Sequence, residues 1–129
     1  MQVTTIYIQT LKSMGNRIPS YIPLTVQIAN IQSARAVGLS KTTYLSPLTG
    51  MLFYLPTIMP VNVTMRNTNL YLDVIFVDDN NIVCDIKPAM PYQYEFISSD
   101  YPVRYFIEVP MNTCQENQIG IGSKVFFNN

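Results

Sequence analysis

Short runs in which apolar and polar side chains alternate recur along the chain, and this two-residue period is typical of half-buried β-strands. Residues 3–11 (VTTIYIQTL), residues 21–29 (YIPLTVQIA) and residues 103–109 (VRYFIEV) all show it. In the third run the alternation predicts that Arg104 and Glu108 point away from the core. Each run is long enough for one strand.

The clearest local pattern is a β-hairpin. Residues 70–77 (LYLDVIFV) and residues 82–87 (IVCDIK) are rich in β-branched side chains, and the DDNN segment, residues 78–81, joins them. Asp and Asn tolerate the left-handed backbone region that a tight turn requires. We therefore expect the two runs to pair antiparallel, with Cys84 pointing inward.

Two short helices are predicted between the strands. Asn30 can cap residues 31–38 (IQSARAVG), and Thr113 with Glu116 has capping-box spacing before residues 114–120 (CQENQIG). Each run ends in a glycine, which is the usual residue after a helix C-terminus. Neither helix can organise a helical core. The sequence therefore predicts a mostly β fold, a small antiparallel barrel or sandwich with two short helices.

The length of 129 residues fits one domain, and we expect residues 22–129 to form it. Residues 1–21 are interpreted as an N-terminal extension with one strand. That strand has no charge before Lys12, so an exposed position would leave it prone to aggregation. It must add either to its own sheet or to the sheet of a neighbouring subunit. We favour the neighbour, because strand addition supplies affinity through main-chain hydrogen bonds.

The order of these elements resembles a known family. The sequences RAVGL, GMLFYL, MRNT, LDVIFVD, YFIEVP and IGIGSKV follow one another over about residues 22–126. This arrangement is similar to the bacterial and archaeal family catalogued as domain of unknown function 192. The resemblance implies a compact β domain of undefined biochemical role, and it places the NT and LD pairs in the family motif. The chain departs from the family pattern at Ser40, Lys41, Val63 and Ser123.

Charge is sparse in this chain. Charged residues make up 12% of it and hydrophobic residues 48%, and its eight basic side chains balance its eight acidic ones. A chain without net charge lacks the main driving force for nucleic-acid binding. No apolar run approaches the roughly 20 residues that cross a bilayer. The first thirty residues also lack the features of a secretory signal. We expect a soluble protein without a membrane span, either cytoplasmic or in a viral particle.

The chemistry available to this chain is limited, because it has no histidine. It therefore lacks the usual general base and imidazole ligand. Asp78 and Asp79 fall in a turn, where acidic residues are commonly structural. Cys84 and Cys114 have no metal or redox spacing and are expected to be free thiols, with a disulfide as the alternative. These observations predict a protein that is not an enzyme and that holds no metal or cofactor.

One group of polar residues stands out as a candidate ligand-binding site: Arg66, Asn67 and Asp73. Asp73 lies inside a strand-like run, so its carboxylate must be paired if it is buried. It can accept hydrogen bonds from backbone amides or from the MRNT turn (residues 65–68), and so hold that turn against the sheet. Alternatively, the three residues line a polar mouth where the carboxylate or amide of a ligand binds.

The functional hypothesis from the sequence is a non-catalytic structural or interaction module in a multi-subunit assembly, with a virion as one candidate. Its partners would be other protein subunits, bound through the N-terminal strand. The alternative is a soluble domain that binds a small ligand near Arg66, Asn67 and Asp73.

Overall fold

The computed structural model describes residues 1–13, 15 and 18–127. Seven of its strands form one curled sheet that makes a half-barrel, and two short strands form a separate ribbon. The predicted mostly β fold with two short helices is therefore confirmed. The strands are β1 Val3–Gln9, β2 Tyr21–Ala29, β3 Thr49–Met59, β4 Asn62–Val63, β5 Leu72–Val77, β6 Val83–Ala89, β7 Ile97–Ser98, β8 Val103–Pro110 and β9 Val125–Phe127. The α-helices are α1 Gln32–Val37 and α2 Thr113–Asn117, and a single 3₁₀ turn spans Leu11–Ser13.

The strand order in the large sheet is β6-β5-β8-β3-β2-β1-β9, and β4 pairs with β7 in the ribbon. All neighbours in the large sheet are antiparallel except β2 and β3, which are parallel. Helix α1 lies in the connection between these two strands, because parallel neighbours require a crossover. This crossover brings the end of α1 close to β3.

Curling brings the two edges of the large sheet together at one end. The Val83 N–H donates to the Ser123 oxygen (2.8 Å), and the Val125 N–H donates to the Asn81 oxygen (2.8 Å). These bonds flank a bridge between Ile82 and Lys124. The turn of the hairpin is thereby joined to the start of β9.

The N-terminal strand belongs to the sheet of its own chain. β1 pairs with β2 from Val3–Gln27 to Gln9–Tyr21, and β9 pairs with its other edge. Ile6 and Ile8 are fully buried. The expectation that this strand pairs with a neighbouring subunit is therefore corrected: β1 takes the other alternative, because its alternating isoleucines complete the core of its own domain.

The large sheet is covered by apolar side chains on both faces. One core cluster contains Ile75 and Ile107, and the other contains Val74 and Phe106, so adjacent residues of β5 and β8 enter opposite clusters. All six residues of β5 are buried. Glu108 of β8 is also buried, with 4% of its surface exposed. The prediction that Glu108 points outward into solvent is wrong. It assumed that only one face of the sheet is covered, whereas both faces are.

The predicted hairpin is confirmed as the antiparallel pair β5 and β6. In its turn, Asp78 Oδ1 accepts hydrogen bonds from the N–H groups of Asn80 (2.9 Å) and Ile82 (3.0 Å). Asn81 adopts the left-handed region with φ 61°. Asp78 therefore has a structural role in the turn. Cys84 of β6 is half-buried, and it and Cys114 are both free thiols.

Both short helices form, but neither uses the predicted cap. Helix α1 has Ile31 at its N-cap position without a side-chain hydrogen bond, and it ends at Gly38 as expected. Helix α2 has Asn112 at its N-cap in the left-handed region and ends at Gln118. The Thr113 hydroxyl donates to the Pro110 oxygen instead of capping the helix (2.6 Å). Among the described residues, no helix is long and apolar enough to cross a membrane.

Candidate functional site

A cleft with a volume of about 160 Å³ opens on one face of the sheet, between the end of α1, strands β3 and β8, and the segment after β4. Gly38 shapes one wall, because its φ of 49° turns the chain out of α1. A Cβ atom at this position would lie 3.2 Å from the Phe53 ring, so glycine allows α1 to approach β3 closely. The lining residues are Arg35–Ser40, Phe53, Asn62, Val63, Thr64, Asn67, Thr68, Phe106 and Glu108, and we call this the Glu108 cleft.

Glu108 lies in the middle of β8, opposite Met51 of β3 and Val74 of β5. No hydrogen bond or ion pair joins its side chain to another residue that the structure describes, and its carboxyl group opens on the cleft. Burial raises the pKa of its carboxyl group to about 8. At neutral pH the group is therefore mostly protonated, and it can both donate and accept a hydrogen bond.

Asn67 and Thr68 contribute from the MRNT turn. The Thr68 N–H donates to the Met65 oxygen (3.0 Å), and the Thr68 oxygen accepts from the Tyr92 N–H (2.9 Å). These two main-chain bonds fix the turn, so that Thr68 is buried and Asn67 lies exposed at the mouth of the cleft.

Arg35 contributes the other ionisable side chain of the cleft lining. It lies in the last turn of α1 and is half-buried. Its guanidinium Nη1 donates to the main-chain oxygen of Tyr54 on β3 (2.9 Å). A guanidinium group has five N–H donors, so this bond orients the side chain and leaves further donors for a ligand.

Arg66 lies outside the cleft lining. Its side chain is exposed, and its guanidinium carbon lies 5.4 Å from the centroid of the Tyr94 ring. This distance is within the range of a cation–π contact. The contact attaches the MRNT turn to the loop after β6.

Asp73 has a structural partner on the other face of the sheet. Its Oδ2 atom accepts a hydrogen bond from the N–H of Cys114 (3.0 Å), near the start of α2. A carboxylate there satisfies one of the unpaired amides of a helix N-terminus. Burial, followed by the neighbouring Asp73 charge, raises the pKa of the Cys114 thiol. The prediction that Asp73 accepts from a backbone amide is confirmed, but the amide belongs to α2 and not to the MRNT turn.

The structure therefore separates the three predicted site residues. Asn67 lines the cleft, Arg66 stacks on Tyr94, and Asp73 faces the opposite core cluster. Glu108 and Arg35 are the two site residues that the sequence interpretation missed. The available signal for Glu108 was the fully apolar run of residues 74–77, because a strand buried on both faces requires a neighbour that is covered as well. Among the described residues, no three His, Cys, Asp or Glu side chains are grouped to hold a metal ion.

Comparisons with known proteins identify relatives of the chain without a defined activity. The sequence profile of a family described as "Uncharacterized ACR, COG1430" matches residues 15–127. A crystal structure from Sinorhizobium meliloti 1021, named as that of a candidate transcription regulator, is 27% identical with a TM-score of 0.89 and covers 98% of this chain and 94% of its own. A protein of unknown function from Novosphingobium aromaticivorans DSM 12444 is 23% identical with a TM-score of 0.89, covers 98% of this chain and 86% of its own, and shows the same fold. No curated protein matches the chain.

Proposed function

The chain belongs to the uncharacterised DUF192 family, and from this premise we propose that it is a small-ligand-binding domain whose binding site is the Glu108 cleft. The single observation that carries the proposal is the state of Glu108. Its carboxyl group is buried, opens on a cleft, and has no partner among the described residues.

Burial of an unpaired carboxyl group is costly, and buried polar groups in proteins are usually hydrogen-bonded. If the carboxyl group had no function, an apolar residue at position 108 would be more stable, because the residues that pair with it on β3 and β5 are both apolar. A carboxyl group that is largely shielded from water but opens on a cleft is instead typical of a group that a ligand contacts. The proposal replaces Arg66 and Asp73 by Arg35 and Glu108 and keeps Asn67.

Binding is better supported than catalysis. Glu108 and Arg35 are the two ionisable side chains of the cleft lining. A single acid beside an arginine provides neither a nucleophile with its base nor a pair of acids. The same two groups are well suited to hold and orient a small polar molecule.

One solved relative is named as a candidate transcription regulator. A domain that binds a small molecule is compatible with a regulatory role. Direct nucleic-acid binding by this chain has less support, because its eight basic and eight acidic side chains cancel.

A second candidate function, a module that binds other protein subunits, is favoured by one surface feature. Met90, Tyr92, Tyr94 and Phe96 are all exposed in the segment of residues 90–96 that joins β6 to β7. Aromatic side chains are enriched at protein interfaces. The solution mass distinguishes the two functions, since an assembly module forms oligomers that replacement of Tyr94 by Ser would weaken.

The ligand-binding proposal predicts a saturable change at the cleft. ¹H–¹⁵N spectra of the whole chain are recorded with methylammonium, acetate, acetamide and glycine, one at a time. At least one compound should shift the amide signals of Gly38, Leu39, Asn67 and Thr68. Glu108→Gln should weaken that binding by at least about tenfold, the scale of a lost hydrogen bond to a charged group. Glu95→Gln is the matched control at an exposed position.

The proposal would be overturned in either of two ways. All four compounds could leave the cleft amides unchanged at concentrations far above physiological levels. Alternatively, Glu108→Gln could bind as tightly as the parent chain.

A further inference from the structure

The Glu108 cleft contains one basic and one acidic side chain that do not pair with each other. Arg35 approaches from α1 and Glu108 from β8, and all other lining residues are uncharged. The ion pairs of Lys87 with Asp85 and Asp100 lie on a different part of the surface. The cleft therefore contains a guanidinium group and a carboxyl group, and neither forms an ion pair with another residue that the structure describes.

Arg35 is held in position for a ligand. Its bond to the Tyr54 oxygen uses one guanidinium nitrogen and ties the side chain to β3. A planar guanidinium group binds a carboxylate through two parallel hydrogen bonds. Its natural counterpart in a ligand is thus a carboxylate group.

The ligand group that is complementary to Glu108 carries a positive charge. Burial raises the pKa of its carboxyl group to about 8 in the free protein, and Arg35 is the other ionisable group that lines the cleft. An ammonium group beside Glu108 favours the ionised carboxylate and forms charge-assisted hydrogen bonds with it. Its natural counterpart is thus a primary ammonium group.

The size of the cleft limits the ligand. A volume of about 160 Å³ is smaller than the roughly 300 to 1,000 Å³ of pockets that bind drug-sized ligands. The apolar part of the wall contains Phe53 and Phe106, whose stacked rings have centroids 4.5 Å apart. A ligand of this size has room for two charged groups and at most a short apolar side chain.

We infer that the ligand is a small zwitterion with one primary ammonium group and one carboxylate, the chemical class of the smaller free α-amino acids. The ammonium group contacts Glu108, the carboxylate contacts Arg35, and a short side chain packs against the aromatic wall. A zwitterion contacts both ionisable groups of the cleft, whereas an amine leaves Arg35 without a contact and a carboxylic acid leaves Glu108 without one. This inference rests on the proposed function and adds to it the chemical class of the ligand.

The test is isothermal titration calorimetry of the whole chain with glycine and L-alanine. Methylammonium and acetate serve as probes that carry only one of the two charged groups. We expect at least one amino acid to bind at least tenfold more tightly than either single-charge probe. Glu108→Gln and Arg35→Gln should each weaken this binding by at least tenfold. Arg66→Gln should leave it unchanged, because Arg66 lies outside the cleft lining.

The Arg35→Lys variant distinguishes a charge contact with the ligand from a purely structural effect of the substitution. Lysine keeps the positive charge but cannot form the two parallel hydrogen bonds of a guanidinium group. We expect it to bind the amino acid with an affinity between those of the parent and Arg35→Gln. Equal loss in both Arg35 variants, with unchanged ¹H–¹⁵N spectra of the free proteins, would contradict a charge contact with the ligand.

The remaining outcomes separate this inference from the proposed function. If methylammonium, acetate or acetamide binds in the cleft as tightly as the amino acids, the inference that the ligand is a zwitterion is wrong, whereas the proposed ligand-binding function remains supported. If an amino acid binds but Glu108→Gln binds it equally well, the inference is overturned because the site lies elsewhere. If none of the probes shifts the cleft amides, both proposals are overturned.

Discussion

Glu108→Gln is expected to make the protein more stable above pH 8 and to leave its stability nearly unchanged below pH 4. The folded-state pKa of about 8 lies above the ordinary value of 4.5, because burial disfavours the charged carboxylate. Between these two pH values the folded state binds more protons than the unfolded state. The stability of the parent chain is therefore highest below the unfolded-state pKa and is lost as the pH rises through the folded-state pKa.

The size of this effect follows from the two pKa values. Their difference, 8 minus 4.5, corresponds to an order-of-magnitude loss of about 5 kcal/mol at about 1.4 kcal/mol per pH unit. Glutamine has nearly the shape of the protonated glutamate but does not ionise, so the variant avoids this loss. Since domains are stable by only about 5 to 15 kcal/mol, the gain is a large part of the total.

Urea unfolding at pH 4, 6, 7 and 9 measures the difference between the two proteins. The exposed Glu95→Gln variant is the matched control and should change the free energy of unfolding by less than about 0.5 kcal/mol at each pH. A Glu108→Gln variant that is less stable than the parent at pH 9 would mean that the carboxylate has a stabilising partner. A stability gain together with a loss of ligand binding would be the expected trade-off at a functional site.

Gly50→Ala is expected to destabilise the domain by about 3 kcal/mol or more, at or above the upper end of the usual range for overpacking. Gly50 lies on β3, and a Cβ atom at this position would overlap the main-chain oxygen of Glu108 on β8. It would also lie 3.0 Å from Cγ1 of Val109. The overlap is with the backbone of a central strand, which can move only if β3 and β8 separate. Ligand binding should weaken as well, because Glu108 moves with its strand.

Gly120→Ala is the matched control for this prediction. A Cβ atom there would meet the end of the Leu11 side chain, which is partly exposed and can rotate away. We therefore expect a clearly smaller loss of stability, measured by the urea midpoint of each variant. Equal midpoints for Gly50→Ala and the parent chain would show that β3 and β8 do not approach as closely as described.

Local patterns in the sequence were sufficient to predict the fold class and the hairpin. The alternation in β1 and β2 and the Asp and Asn residues of the 78–81 turn each act over a few residues. The parallel pairing of β2 with β3 was not predictable in this way. It depends on a crossover through α1 and on contacts between distant parts of the chain. The pairing of β1 within the sheet of its own chain was not predictable for the same reason, because it also depends on long-range packing.

The site was predicted only in part, for a related reason. Asn67 belongs to a recognisable motif and lines the cleft, but its neighbour Arg66 turns outward to Tyr94. Asp73 looked unusual in the sequence because it interrupts an apolar run, yet its partner is 41 residues away in α2. Glu108 looked ordinary, because alternation cannot show whether the polar face of a strand meets solvent or a second core. The functional significance of Glu108 depends on that second layer.

An NMR titration of the side-chain carboxyl carbon in the free protein tests the state of Glu108 directly. We infer that this carboxyl group is buried, has no partner among the residues that the structure describes, and binds a ligand in the cleft. We expect a titration midpoint at a pH of about 8, together with shifts of the cleft amides over the same pH range. A midpoint near the ordinary value of 4.5 would show that the group is solvated or already paired, and Glu108 would then not be a buried group that is available to a ligand.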